Sequence, residues 1–208
     1  MAIVVVGGHS RNIGKTSVVC RLISAFPECA WTAVKITQFG PTVYSPKPSA
    51  CETADQSMTI IEERSAANRT DSSRYLAAGA ARSLWVRTHR EQLATAIPRI
   101  QTEIARAENV ILESNSVLRF LNPDLYLAVL DPSVADFKPS ALHYLERADA
   151  LLYSGQAGES TWPDVPASLL ARVPAFSVAA PAYWSDEVER FVGARLSKLP
   201  KSAVLAAR

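Results

Sequence analysis

Cysteine is scarce in this 208-residue chain: Cys20, Cys29 and Cys51 are odd in number and lack the paired spacing of a metal site. Neither a disulfide framework nor a zinc cluster therefore organises the fold. Long apolar runs are missing too; none approaches the roughly 18 residues that cross a bilayer, which argues against a helical membrane protein. Lys and Arg occur singly rather than in blocks and the formal net charge is only +2, so neither nucleic acid nor a membrane is expected as the main partner. A small acidic ligand fits that balance better. The N-terminus shows no basic stretch leading into a signal-type apolar segment, so a cytoplasmic, reduced protein is expected. No internal repeat, low-complexity tract or domain boundary is visible.

What is present is apolar material. Hydrophobic residues make up 48% of the chain and charged ones 20%, enough for one full-sized core, and a single domain over 1–208 is the expectation. Short β-branched runs at 3–6, 31–37, 83–87, 109–113, 125–130, 150–153 and 173–178 alternate with helical stretches at 16–25, 88–107, 138–147 and 185–196. That alternation predicts an α/β fold in three layers, a mostly parallel sheet of about seven strands with helices on both faces. Two stretches interrupt it. Residues 38–70, with Pro41, Pro46, Pro48 and the pair Glu62 and Glu63, read as an irregular insertion that serves a substrate or partner. Within it, Cys51, Asp55, Glu62 and Glu63 form either a metal or substrate site or a plain exposed loop. Residues 155–167, with Gly158, Trp162, Pro163 and Pro166, read as a surface excursion.

The most informative segment follows the first apolar run: Gly8-His9-Ser10-Arg11-Asn12-Ile13-Gly14-Lys15-Thr16-Ser17. It sets a buried strand, a glycine-bounded loop and a helix start in immediate succession. Successive backbone N–H groups in such a loop make a nest for an anion, and the helix N-terminus adds partial positive charge. Lys15 can then reach the β- and γ-phosphates of a nucleoside triphosphate, and the Thr16 hydroxyl can ligate Mg2+. His9, inside the loop, either hydrogen-bonds phosphate or points to solvent; His89 and His143 form no catalytic group with it. Five residues separate Gly8 from Gly14, one more than in the commonest form of the motif. Downstream, Asn109-Val110-Ile111-Leu112-Glu113 is an apolar run closing on one carboxylate, placed to bind Mg2+ or orient a nucleophile.

These residues resemble the branch of P-loop NTPases that holds dethiobiotin synthetase, cobyrinate amidating enzymes and the molybdopterin-guanine dinucleotide biosynthesis adapter protein. The first two families share the five-residue loop spacing. Val34-Lys35-Ile36-Thr37-Gln38 resembles a segment whose lysine contacts phosphate and substrate in the synthetase, which implies a ligand role for Lys35. Thr70-Asp71-Ser72-Ser73-Arg74-Tyr75-Leu76-Ala77-Ala78-Gly79-Ala80 resembles an adapter-family segment. Its residues also make sense locally: Asp71 as helix cap, Gly79 as a left-handed end, and Arg74 outward for an anion, a partner or solvent. Both families carry a glycine after the glutamate matching Glu113; this chain continues Ser114-Asn115-Ser116.

No Asn-Lys-x-Asp element for guanine is present, so the base is open between GTP and ATP. Ser177-Val178-Ala179-Ala180-Pro181 stands where related folds contact the base. Asp131 and Asp136 follow the fifth run beside Lys138, with Asp136 expected to cap the helix that begins near Pro139. The expectation is thus a nucleotide- and Mg2+-binding NTPase with slow hydrolysis. Gly8, Ser10, Arg11, Asn12, Ile13, Gly14, Lys15, Thr16, Ser17 and Lys35 would line the nucleotide, and Thr16 and Glu113 the metal. Lys15 and Glu113 would be the catalytic pair. The resemblance implies an adapter role in molybdenum cofactor biosynthesis, with a cofactor-biosynthesis protein as partner, or an ATP-dependent ligase acting on a small carboxylate. A non-catalytic nucleotide-binding regulator is the remaining reading. A homodimer is implied by the resemblance alone.

Overall fold

The structure is a computed structural model that describes residues 1–40, 58–68, 70–154 and 162–199. Its frame is one eight-stranded sheet in the order β3-β4-β2-β5-β1-β6-β7-β8. The strands are β1 (Ile3–Gly8), β2 (Trp31–Phe39), β3 (Met58–Glu62), β4 (Arg82–His89), β5 (Asn109–Glu113), β6 (Leu125–Leu130), β7 (Ala150–Ser154) and β8 (Ala175–Val178). All neighbours pair in parallel except β3 with β4. The helices are α1 (Lys15–Ala25), α2 (Asp71–Ala77), α3 (Leu93–Ala105), α4 (Pro139–Tyr144), α5 (Ala167–Leu170) and α6 (Asp186–Leu196).

Each central strand supplies both cores, because side chains alternate across a sheet with period two. Val4 and Val6 of β1, Ala33 of β2 and Ile111 of β5 pack with Val18, Leu22 and Ile23 of α1, Tyr75 of α2 and Val188 of α6. Val5, Val34, Val110 and Leu112 face the other way, onto Ala96, Ile97, Ile100 and Ile104 of α3. This is a three-layer α/β sandwich. The same alternation carries Lys35 after Ala33, and Glu113 after Ile111, onto the α1 and α2 side.

Three of the expected stretches need adjustment. The stretch 88–107 is divided: β4 runs to His89, a 3-10 turn covers 90–92, and α3 begins at Leu93. Within 38–70, β2 continues to Phe39, and Met58–Glu62 form an antiparallel edge strand; residues 41–57 lie outside the described residues. The short run Met58-Thr59-Ile60-Ile61 is strand-forming but was masked by its polar surroundings. Of the stretch 155–167 expected as a surface excursion, residues 155–161 lie outside the described residues, and the remainder is not simply exposed. Trp162 and Val165 are buried, and the Trp162 indole N–H donates to the Val134 carbonyl at 2.7 Å. A tryptophan among prolines resembles a loop in sequence, yet its burial outweighs the local signal. No helix among the described residues is long and apolar enough to cross a membrane.

Trp162 therefore serves as an anchor for the segment after β6. Trp162→Ala is expected to lower the unfolding free energy by about 3 kcal/mol or more, measured in urea, through loss of buried area and of an indole hydrogen bond.

Candidate functional site

β1 lies between β5 and β6, and parallel register places Val6 opposite Glu113. The loop from Gly8 to Gly14 thus emerges beside the end of β5. Its residues alternate between anchoring and exposure. Ser10 is buried and its hydroxyl donates to Asp136 Oδ2 at 2.8 Å; Arg11 and Asn12 form the exposed tip; Ile13 is buried in the α1 core. Gly14 then turns the chain at φ 94°, where a β-carbon would lie 2.3 Å from the Tyr183 ring. At Gly8 close approach is the constraint: a β-carbon would come within 2.9 Å of both the Ile13 side chain and the Val129 carbonyl. Among the described residues, no acceptor takes the backbone N–H groups from Asn12 to Thr16. Unpaired N–H groups at a helix start can accept an anion.

Two side chains fix this loop from beneath. Asn115 clasps Gly8 at both ends of its peptide: its Oδ1 accepts from Gly8 N–H, and its Nδ2 donates to Gly8 O, each at 2.8 Å. Nothing in the sequence flagged Asn115, which stands just past the position where the resembling families have glycine. His9 is the second, and it neither meets phosphate nor points to solvent. It is fully buried, its Nε2 accepts from the Asp131 N–H at 2.9 Å, and its Nδ1 bonds the Asp136 carbonyl at 2.8 Å. Since a carbonyl only accepts, Nδ1 carries the proton and the ring is neutral. Burial lowers the His9 pKa below its ordinary 6.5. Phe137 and Trp162 pack on the ring. Asp136 consequently does not cap α4, whose cap residue is Lys138 without a side-chain bond; it holds the loop instead. Asp131 bonds its own turn at Ser133.

Above the loop, Lys15 bends back so that its ammonium donates to the Ser10 carbonyl. Burial lowers its pKa to about 8, against the opposing pull of Glu113. An amine poised so near neutrality gains from any anion brought beside it. Glu113, only 7% exposed, gathers the neighbouring groups: Oε2 accepts from Thr16 Oγ1 at 2.9 Å and from the Tyr75 hydroxyl, while Oε1 accepts from Lys35 Nζ at 2.9 Å. Lys35 also meets Asp71 Oδ2 at 2.5 Å. Burial opposes the Lys35 charge, but Glu113 and Asp71 outweigh it and raise its pKa.

Asp71 was the capping residue expected from sequence, but Thr70 caps α2, in a reciprocal box with Ser73, and leaves Asp71 to face the cluster. The signal was ambiguous because Thr and Asp are both good caps. Gly79 closes the turn in the left-handed region, as expected. Arg74 is half exposed and donates to Ser17 Oγ at 3.1 Å. The two glutamates of the insertion are engaged locally, Glu62 with Arg82 and Glu63 with Asn68 and Thr70. Cys51 and Asp55 lie outside the described residues. No group of three or more His, Cys, Asp or Glu side chains suited to a metal occurs among the described residues. His89 packs at a tilt against Phe39 and His143 edge-on against Tyr144, and neither joins His9 in a catalytic group.

Loop and carboxylate thus stand at the ends of adjacent strands in a three-layer α/β fold with a mostly parallel sheet. Neither a protein-family model nor a curated protein matches the chain. Two solved structures are similar in fold. One is LpxK from Aquifex aeolicus in complex with ATP, 18% identical, with TM-score 0.47, covering 85% of this chain and 53% of that one. The chain thus spans about half the length of that protein. The other is HypB from Helicobacter pylori in complex with nickel, 12% identical, with TM-score 0.45, covering 96% of this chain and 90% of that one.

The neutral His9 gives a pH signature. Its folded pKa lies below the unfolded 6.5, so its stabilisation is full above about pH 6.5 and is lost as pH falls through the folded value. Thermal melts between about pH 8 and pH 5 are expected to show a falling midpoint, with a shallower slope in His9→Gln; equal slopes would remove His9 as the cause.

Proposed function

We propose that this chain binds a nucleoside triphosphate, GTP or ATP, together with Mg2+, and hydrolyses it slowly as an adapter-type NTPase of molybdenum cofactor biosynthesis. The nucleotide reading rests on one junction: the unpaired N–H groups of the loop, the Lys15 ammonium, and the Thr16 hydroxyl on the buried Glu113 carboxylate. The loop amides and Lys15 take phosphate oxygens, and Lys15 exchanges its bond to the Ser10 carbonyl for one to the β- and γ-phosphates. Thr16, Glu113 and Asp71 present hard oxygens, the donors that Mg2+ accepts, and would hold it. When bound, that ion neutralises charge on the phosphates. Glu113 also holds a proton acceptor close to where an attacking water would stand, and Lys35 offers a cation to the γ-phosphate.

The adapter part is supported by α2, whose Asp71 and Arg74 belong to the adapter-like segment and stand against α1 through the Arg74 to Ser17 bond. A second reading, an ATP-dependent ligase for a small carboxylate, is favoured by the cations at the loop's rim. Lys138 is half-buried, and burial and then the neighbouring Arg11 lower its pKa, with Arg90 adding to the same field. Such a rim suits an acidic second substrate.

At nucleotide about 100-fold above Kd, binding should stabilise the protein by about 2.7 kcal/mol. Lys15→Ala is expected to abolish that gain in thermal melts with either GTP or ATP; an unchanged gain would overturn the site. Glu113→Gln is expected to reduce phosphate release by on the order of 100-fold while nucleotide still binds. If the wild type binds nucleotide but releases no phosphate, alone or with small carboxylates, both catalytic readings fail and a regulatory binder remains.

A further inference from the structure

Lys35 touches every side chain just proposed to hold a divalent ion. Its ammonium lies 2.5 Å from Asp71 Oδ2, 2.9 Å from Glu113 Oε1 and 3.4 Å from Thr16 Oγ1. The position follows from the sheet, since β2 pairs with β5 so that Lys35 stands opposite Glu113. The cluster is closed at Glu113, 7% exposed, and open at Asp71, 41% exposed, so a cation can leave or enter on the α2 side.

Two carboxylates sharing a half-buried space with a hydroxyl need a cation between them. An ammonium on a four-carbon stem can supply that charge and can also move. Mg2+ requires its donor oxygens at about 2.0–2.1 Å in near-octahedral geometry, which an ammonium already in contact with the same oxygens prevents by occupancy and by repulsion. The two cations are therefore alternatives at one set of oxygens. A triphosphate seated on the loop would present Lys35, which already reaches Thr16 at the start of α1, with a second set of anionic oxygens.

We propose that Lys35 is a built-in competitor of the divalent ion, holding Asp71, Glu113 and Thr16 until a triphosphate draws it away, so that metal binds tightly only in company with nucleotide. Lys35 is then more than a phosphate ligand: it makes metal loading conditional. The proposal rests on the triphosphate reading above, and it gives Asp71 the part of an oxygen donor released to the metal.

The test titrates MnCl2, a paramagnetic probe of the same site, into protein without phosphate compounds, followed by electron paramagnetic resonance and thermal melts. Wild type is expected to bind Mn2+ weakly and to melt unchanged. Lys35→Met is expected to bind Mn2+ at least about tenfold more tightly and to gain melting temperature from it, whereas Lys35→Arg, which keeps the charge, behaves as wild type. A Lys35→Met protein that folds only when Mn2+ is added also supports the competition. Wild type binding Mn2+ alone as tightly as Lys35→Met overturns it. So does the absence of any gain in both Lys35→Met and Lys35→Gln. If inorganic tripolyphosphate neither binds wild type nor loses affinity in Lys15→Ala, the triphosphate reading itself has failed, which is a separate outcome from failure of the competition.

Discussion

A carboxylate excluded from water has to be matched by donors and charge, because an isolated buried anion costs several kcal/mol. Glu113 is such a group, and its compensation draws four elements to one point. Thr16 comes from the start of α1, Lys35 from β2, Tyr75 from α2, and Glu113 itself from the end of β5. None of these contacts is local in sequence. The Thr16 and Glu113 pair spans 97 residues, yet its geometry is prepared by the parallel pairing of β1 with β5. Burial of Tyr75 and the Glu113 carboxylate beside it push the tyrosine pKa well up, so its hydroxyl remains a donor at any working pH.

Beneath this charged layer lies a neutral one with a different task. The loop between β1 and α1 leaves several N–H groups without a partner among the described residues, and the backbone at its start is held by side chains. Asn115 and His9 are those side chains, each satisfying one donor and one acceptor of the main chain. A charged His9 would face an N–H group with another N–H, so the ring works only as the neutral tautomer. Phe137 and Trp162 shield it from water, linking the segments after β6 and before α5 to the stability of the loop.

Charge of opposite kinds thus meets at the mouth of the loop. Lys15, Lys35, Lys138 and Arg11 supply positive charge, and Glu113 and Asp71 negative charge. Burial does most to lower the Lys15 pKa to about 8, and the neighbouring Lys138 and Lys35 add to it against the pull of Glu113.

Much of the frame was legible in the sequence. The runs at β5 and β6, the start of α6 after Ser185, and the loop between β1 and α1 follow from period, propensity and capping, which act over a few residues. The position of the loop from Gly8 to Gly14 between strand and helix was legible for the same reason, since the three are contiguous. The roles of His9, Asp71, Asn115, Asp136 and Trp162 were not. Asp71 and Asp136 read as caps because cap chemistry and ligand chemistry use the same side chains, and the choice between them depends on which neighbour arrives in space. His9 read as exposed or phosphate-bound because its partners lie more than 120 residues away. The sequence by itself determined the succession of strand, glycine-bounded loop and helix start over β1 and α1, a property of local backbone geometry. Only the tertiary structure decided what surrounds that loop, because parallel register, burial and the need to pair each buried polar group are satisfied between distant segments.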